Sequence, residues 1–308
     1  MRIFVTGGAG FIGRYLAKAF LEKGHPVTIY DNLSNSSEDK IIDLIDSGVN
    51  FVKSDINDIA SLEKFVKDHD VVIHLAAKIS VEDSILHPDE TRCVNVDGTI
   101  NVLNACIKNK VKNFIAMSTA AVYGDSKEPR IFLSEDSETK PLSPYGLSKL
   151  KMEECIREFS EKYSINSVCL RIFNVYGHDQ SEEYAGVITK FTENIRHRRP
   201  LIIYGDGQQT RDFVEISDTV TAIYNALLKI NGKKGKVYNI GSGSPVTIEE
   251  LAKLMLSISG KDLEIQHVQP KKGEIRYSQA DISLAKKELG YFPAVSLREG
   301  LRKLLNET

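Results

Sequence analysis

Thr6-Gly7-Gly8-Ala9-Gly10-Phe11-Ile12-Gly13 follows the apolar run Arg2–Val5 and precedes a helical pattern from Gly13 to Lys23. A glycine-rich turn alone is a weak signal, because such turns are common. The context gives this one its meaning. Gly7 allows a tight turn after a strand, Gly10 permits close approach of a pyrophosphate, and Gly13 lets helix and strand pack closely. The helix N-terminus then faces the phosphates with its unpaired N–H groups. The second strand ends at Asp31, about 18 residues past Gly13. A carboxylate there accepts ribose hydroxyls and repels a 2′-phosphate, so NAD is favoured over NADP. The alternative is a structural βαβ turn with a capping Asp.

Outward from this unit, short apolar strands alternate with helices. Arg2–Val5, Val27–Tyr30, Asn50–Lys53, Val71–Leu75, Asn113–Ser118 and Ser167–Ile172 read as strands. Nearly continuous apolar runs are what strands covered on both faces require. Helical patterns lie near Gly13–Lys23, Ser61–Lys67, Cys93–Asn109 and Pro144–Tyr163. The alternation predicts an α/β fold with a Rossmann-type, doubly wound parallel sheet. The rhythm loosens after Arg171. Val187–Arg198, Ile248–Ser259 and Leu284–Leu289 read as helices and Ile202–Tyr204 as a short strand. Two parts are expected: a dinucleotide-binding domain over 1–172 and a smaller C-terminal substrate-binding lobe over 173–308. Parts of 212–242, around Phe213–Leu228 and Val237–Ile240, are expected to return to the main sheet.

Bulk properties remove several function classes. The 308 residues are 42% hydrophobic and 27% charged, with 40 Lys and Arg against 42 Asp and Glu. A formal charge of -2 gives no general pull toward nucleic acid or membrane, so any anion site is local. The first residues read as a strand rather than a signal peptide. No run approaches the roughly 18 apolar residues of a membrane helix. Cys93, Cys106, Cys155 and Cys169 are scattered and read as buried thiols, not disulfides. Neither they nor the seven His residues show ligand spacing, so no metal is expected. The expected location is the cytoplasm.

Other strand ends carry polar or small residues. Asp55-Ile56 is placed to meet an adenine, Leu75-Ala76-Ala77-Lys78 offers small side chains, and Asn95 sits early in a helix. Taken alone, each is a cap, a packing position or a solvated residue. Their coincidence at the carboxyl edge of one sheet gives them weight. Ser143-Pro-Tyr145-Gly-Leu-Ser-Lys149 places Tyr145 and Lys149 on one helix face. A tyrosine with its ordinary pKa near 10 is a poor base at neutral pH. A neighbouring ammonium and an oxidised nicotinamide would favour the phenolate, making a proton shuttle for an alcohol. Lys149 also suits the nicotinamide ribose. Chance yields many Tyr-x-x-x-Lys pairs, and an exposed tyrosine beside a solvated lysine is the plain alternative. Thr119, at the end of Asn113–Ser118, would offer a hydroxyl to the reacting oxygen, or else bond its own turn.

These segments together resemble the extended short-chain dehydrogenase/reductase family, in its nucleotide-sugar branch, and most of all the UDP-glucose 4-epimerases. The resemblance spans Thr6–Gly13, His74–Ala77, Asn95–Thr99, Ser118–Gly124, Pro144–Lys149, Arg171–Gly177, Gly205–Asp218, Asn239–Gly243 and Gly273–Asp281. It implies a reaction centre at Thr119, Tyr145 and Lys149, with Thr where many members have Ser. For NAD it implies Gly7, Gly10, Phe11, Ile12, Gly13, Asp31, Asn32, Ser34, Asn35, Asp55, Ile56, Leu75, Ala76, Ala77, Lys78, Asn95, Ser118, Tyr145, Lys149 and Phe173. For a UDP-sugar it implies Thr119, Tyr145, Asn174, Gly186, Val187, Tyr204, Gln209, Arg211, Arg276 and Ser278. Asn174, Arg211 and Arg276 are the diphosphate candidates, with Lys271 and Lys272 behind them; Arg suits phosphate because its planar fork binds bidentately.

The implied reaction is 4-epimerisation through a transient 4-keto sugar. Related 4,6-dehydratases carry Asp-Glu directly after the catalytic Thr, and a decarboxylase would want a carboxylate at the second position. Ala120-Ala121 stands there instead. A reductase with a released product, or a non-catalytic NAD-binding regulator, would share the fold; regulators typically lose the Tyr or Lys. Aligned on Ala280-Asp281, Ser278 falls where a bulky Tyr shrinks the hexose pocket of some epimerases. Ser278 therefore implies that N-acetylhexosamines are accepted; a one-residue slip would put Tyr277 there and reverse this. A homodimer through the helices near Cys93–Asn109 and Pro144–Tyr163 is expected from the family, with no nucleic-acid or membrane partner.

Overall fold

The computed structural model describes residues 1–126, 128, 131–180, 186–270 and 275–306. The candidates Lys271 and Lys272 lie outside the described residues, as do Gly273 and Glu274. The main sheet is built from β1 (Ile3–Thr6), β2 (Val27–Asp31), β3 (Asn50–Lys53), β4 (Val71–His74), β5 (Asn113–Thr119) and β6 (Asn166–Ile172). Beyond them come β7 (Asn174–Tyr176), β8 (Leu201–Tyr204), β9 (Thr210–Arg211), β10 (Phe213–Glu215), β11 (Lys236–Ile240), β12 (Val246–Thr247) and β13 (Ile265–Val268). Seven strands form one parallel sheet in the order β11-β6-β5-β4-β1-β2-β3. The order turns back between β1 and β4, which pair in parallel with Thr6 opposite His74. That reversal opens a crevice at the carboxyl ends of the two strands, the usual ligand position in such sheets.

Local chemistry explains the elements. Ile3, Phe4, Val5, Val71, Val72 and Ile73 are all fully buried, as strands covered by helices on both faces must be. The helix Pro144–Tyr163 begins at Ser143, whose hydroxyl accepts from Gly146 N at 3.1 Å, with Pro144 in the first turn. Such a cap contributes about 1 kcal/mol, and Pro at that position loses no helical bond. Cys93–Asp97 is a π-turn ahead of the helix Gly98–Lys108, so the expected single helix is widened where Asn95 sits. π-turns inside helices recur at functional sites. Periodicity cannot reveal one, because the apolar residues on either side keep helical spacing.

The chain groups into two compact units that are discontinuous in sequence. The first contains Met1–Val122, Ser143–Arg171 and Val220–Tyr238. Its core includes Phe4, Tyr30, Leu62, Val72, Leu103, Phe114, Met152 and Ile156. The second contains Tyr123–Leu142, Ile172–Thr219 and Asn239–Thr308. Its core includes Phe191, Ile195, Leu201, Ile203, Leu251, Met255 and Leu301. Tyr123–Leu142 joins the second unit through backbone bonds: Leu133 N donates to Gln279 O at 2.8 Å, and Asp281 N to Leu133 O at 3.0 Å. Three short ladders organise this unit: β10 beside β7, β12 against β9, and β13 beside β8. The four cysteines are free, but only Cys106 and Cys169 are buried; Cys93 is exposed and Cys155 half-buried. The expectation of four buried thiols is corrected there, because Cys93 heads the π-turn on an outer helix face. Among the described residues no helix is long and apolar enough to cross a membrane, and no His, Cys, Asp or Glu group is arranged to hold a metal.

Candidate active site and cofactor site

The glycine-rich turn is fixed by close backbone approach. Gly7 has φ +68°, and a Cβ there would lie 2.5 Å from Ala76 N. The loops leaving β1 and β4 can meet only because residue 7 lacks a side chain. A Cβ on Gly13 would lie 2.6 Å from Gly8 Cα, so the helix Phe11–Glu22 sits directly on the turn. Gly10 is its N-cap residue, with no side-chain cap, which leaves the first N–H groups for an anion. Phe11 and Ile12 open this helix half-buried, with the Phe11 ring edge-on to Tyr15. These features fit a dinucleotide pyrophosphate.

Asp31 ends β2 and accepts from Ala9 N at 3.0 Å and Leu33 N at 2.8 Å. Burial pushes its carboxyl up, and the two backbone donors pull it back down. Asp31 thus braces the glycine turn, in addition to the ribose contact expected of it. Asn could satisfy only one of those N–H groups without turning an NH2 toward the other. Asp31→Asn is therefore expected to weaken NAD binding on the order of tenfold and to narrow the preference over NADP, as part of the 2′-phosphate repulsion goes. Fluorescence titration with both cofactors checks this; unchanged selectivity would count against the assignment. Asn32 donates to Asp55 at 2.6 Å and accepts from Ser34 N, so the loops after β2 and β3 are tied together, with Asn35 exposed beside them. Ile56 is buried and packs on Gly98, where a Cβ would lie 2.5 Å from its Cδ1.

A buried relay supports the loop after β4. His74 Nδ1 lies 2.7 Å from Thr6 Oγ1, and its Nε2 2.9 Å from Thr99 Oγ1. Thr99 donates to Asn95 O at 2.8 Å, so it accepts from His74 Nε2–H, and Thr6 donates to Nδ1. Burial drives the imidazole down to about 3, which keeps it neutral and the relay one-directional. Asn95 Nδ2 donates to Lys78 O and Ser148 Oγ, both at 2.9 Å, while its Oδ1 accepts from Lys78 N at 2.8 Å. Asn95 therefore clamps the Leu75–Lys78 loop to the helix Pro144–Tyr163. The Lys78 ammonium turns to Glu90 at 2.6 Å and Asp83 at 3.6 Å. Leu75, Ala76 and Ala77 are half-buried along the loop.

Thr119, Tyr145 and Lys149 are brought together at the end of β5. A hydrogen bond from Thr119 lowers the Tyr145 phenol, but burial raises it more. The Lys149 ammonium, 3% exposed, donates to Met117 O at 2.9 Å and faces Met152 Sδ at 3.8 Å. Burial lowers it to about 8, against an opposing pull from Cys169 and Glu153. Burial is what the expected pairing of ammonium and oxidised nicotinamide has to overcome at Tyr145, and Lys149 gives one of its N–H groups to Met117 O. Tyr145 N donates to Ser84 Oγ at 3.2 Å, a buried serine the sequence reading did not single out. Ser118, expected beside the cofactor, gives its hydroxyl to Glu153.

In the second unit, Thr210 N donates to Arg276 O at 2.9 Å and Ser278 N to Thr210 O at 3.3 Å. This ladder sets Arg276 and Ser278 beside Arg211, whose Nη1 caps Thr210 O. Asn174 joins through Asp212 O, at 3.0 Å from its Nδ2. Gln209 Nε2 donates to Tyr204 O at 2.8 Å, closing the turn between β8 and β9. Ser278 is buried and Tyr204 partly exposed. Arg276 grips Asp206 with both terminal nitrogens, at 2.6 and 2.7 Å, which holds the Asp206 carboxyl well below its ordinary range. Phe173 is buried beside Tyr123. Gly186 and Val187 start the helix Val187–Arg196 and are not part of the ladder.

A doubly wound parallel sheet, a glycine turn at its switch point and a Thr-Tyr-Lys group on β5 and the next helix define an extended short-chain dehydrogenase/reductase that uses NAD. Within that class the chain belongs to the NAD dependent epimerase/dehydratase family, which matches residues 3–241. It is similar to the UDP-glucose 4-epimerase of Thermotoga maritima solved with UDP-glucose: 35% identity, 99% of this chain and 98% of the other covered, TM-score 0.92. It is also similar to the UDP-N-acetylglucosamine 4-epimerase of Methanobrevibacter ruminantium solved with UDP-N-acetylmuramic acid, at 33% identity, 99% and 97% coverage and TM-score 0.93. The UDP-N-acetyl-alpha-D-glucosaminuronate decarboxylase of Bacillus cytotoxicus is 34% identical over 99% of this chain and 96% of its own.

Proposed function

We propose that this enzyme interconverts UDP-hexoses epimeric at C4, through a transient 4-keto sugar. The observation that carries this reading is the turn after Thr119. Ala120–Val122 is a single 3-10 turn in which Thr119 Oγ1 accepts from Ala121 N at 3.2 Å. Dehydration or decarboxylation needs further acid and base groups, and Ala120 and Ala121 offer none. Tyr145 takes the C4 hydroxyl proton and returns it, while Thr119 hydrogen-bonds the same oxygen. NAD, held by the glycine turn and Asp31, would supply a reversible hydride acceptor for C4, and its positive charge would favour the Tyr145 phenolate against burial. Lys149 gives one N–H to Met117 O, directs a second to Met152, and has a third assigned here to the nicotinamide ribose. Asn174, Arg211 and Arg276 are assigned to the diphosphate, with Arg276 exchanging Asp206 for phosphate as the sugar nucleotide binds.

The deciding experiment incubates the purified protein with UDP-glucose, UDP-galactose and their N-acetyl forms and resolves the products by NMR. A C4 epimer with no net NADH supports the reading. A 4-keto-6-deoxy product, released carbon dioxide or net NADH overturns it in favour of a dehydratase, decarboxylase or reductase; no turnover favours a regulator. Ser278 is the residue assigned to the sugar pocket, so both hexose and N-acetylhexosamine forms are expected to react. Ser278→Tyr is expected to lower the N-acetyl activity about tenfold relative to the glucose form, an effect of pocket volume worth about 1–3 kcal/mol. An unchanged ratio would remove Ser278 from this role. A homodimer through the helices near Cys93–Asn109 and Pro144–Tyr163 is part of the proposal: Leu147 is exposed on the second of them, and Ile85 and Leu86 on the short helix Val81–Leu86, and sedimentation equilibrium tests it.

A further inference from the structure

The last residues of β5 bond to the catalytic helix at one-turn intervals. Thr119 meets Tyr145, Met117 O accepts from Lys149, and Ser118 Oγ donates to Glu153. Tyr145, Lys149 and Glu153 are spaced four apart along one helix face. Glu153 is 5% exposed and accepts from Arg171 Nε at 3.0 Å and Nη2 at 2.7 Å, a bidentate pair with Arg171 equally buried on β6. The carboxylate thus joins three elements: β5, the helix and β6. We propose that Glu153, held by Ser118 and Arg171, is a positioning residue for Lys149 and, through the shared strand end, for Thr119 and Tyr145. This rests on the Tyr145–Lys149 assignment made above.

A buried carboxylate is costly unless it is fully hydrogen-bonded and paired. An apolar pair would fill the same space without that cost. The geometry gives the charge a use. Lys149 is sealed from solvent, and among the described residues the titratable groups that act on it are Glu153 on its own helix, Cys169 on β6 and His74 on β4. Cys169 is pushed far up by burial and His74 far down, so both are neutral near pH 7. Glu153 is then the anion that keeps the Lys149 ammonium charged, and Arg171 and Ser118 fix where that anion stands.

The test uses the full-length, NAD-loaded protein with Glu153→Gln and Ser118→Ala. Two quantities are read: kcat and KM against pH, and the 15N resonance of Lys149 Nζ against pH without sugar, assigned by its loss in Lys149→Met. In the natural protein Lys149 is expected to lose its proton near pH 8, the value to which burial lowers it. Its charge is present below that pH and lost above it. Glu153→Gln removes the anion and leaves Arg171 positive, so both changes move the Lys149 titration to lower pH. The alkaline fall in kcat should follow by about one pH unit, with kcat at pH 7 reduced on the order of tenfold, about twofold of that from lost charge and the rest from lost positioning, and KM within twofold. If Glu153→Gln does not fold, Ser118→Ala keeps the ion pair and is expected to lower kcat about fivefold at constant KM. An unmoved Lys149 titration in Glu153→Gln overturns the proposal even if kcat falls, because general loosening would do that alone. Unchanged kcat in Ser118→Ala overturns it too. The NMR reading needs no sugar, so it separates failure of this network from failure of the epimerase reading.

Discussion

Tyr145→Phe is expected to lower kcat about 1,000-fold while leaving the fold and NAD binding in place. A positioned proton-transfer group contributes roughly 100- to 10,000-fold, and a 1,000-fold loss corresponds to about 4 kcal/mol of transition-state stabilisation. The substitution removes one oxygen. Thr119 keeps its bond from Ala121 N, Lys149 keeps Met117 O, and the helix keeps Ser143 as its cap and Ser84 on Tyr145 N. The Thr119 hydroxyl loses the phenol as its acceptor, but it is only half-buried and keeps the bond it accepts from Ala121 N. The thermal midpoint should therefore move by no more than a few degrees, in line with a change of about 1 kcal/mol or less. KM should hold within a few-fold, because the residues assigned to the nucleotide lie on other strands and loops. Steady-state kinetics, calorimetry and fluorescence of the bound cofactor check the three parts. Near-natural kcat in a folded, NAD-loaded variant would remove Tyr145 from proton transfer and with it the mechanism proposed here.

The sequence was most informative where burial is two-sided and local. Runs such as Ile3–Thr6 and Val71–His74 leave no choice but a covered strand, and the glycine turn between Thr6 and Phe11 announces its own geometry. Pro144–Tyr163 is bounded by a Ser-Pro start that periodicity and capping both mark. The short ladders of the second unit were less legible. β7, β9, β10 and β12 are two or three residues long, too short for alternation to build a pattern, and their partners are distant in sequence. Site residues followed the same division. Thr119, Tyr145 and Lys149 could be located because a strand end and a helix start fix them locally. What their polar groups bond to could not. Arg276 on Asp206, Asn95 on Lys78, and Ser118 on Glu153 are tertiary pairings separated by 70, 17 and 35 residues. Glu153 carries one signal in the sequence: it continues the four-residue spacing from Tyr145 and Lys149 on the same helix face.

Arg171→Met is expected to destabilise the first unit by about 3–5 kcal/mol, the cost typical of removing one partner of a buried ion pair. Met approximates the aliphatic length of Arg, so little packing volume is lost. Arg171 supplies two of the hydrogen bonds on Glu153, and among the described residues Ser118 is the donor then left to a carboxylate that is 5% exposed. The loss depends on pH in a defined direction. Protonating Glu153 in the variant cancels the uncompensated charge, so the folded state takes up that proton more readily than the unfolded chain does. Stability relative to the natural protein should therefore recover as pH falls and worsen as it rises. Denaturant unfolding of both proteins at several pH values between about 5 and 8 measures this as a shrinking or growing gap. Glu153→Gln in the Arg171→Met background should restore much of the lost stability at pH 7, because a neutral amide replaces the stranded anion. A gap independent of pH, or a double variant no more stable than the single one, would mean that the cost lies in packing rather than charge. The pair would then be structural filling, and Glu153 could not serve as the fixed anion beside Lys149.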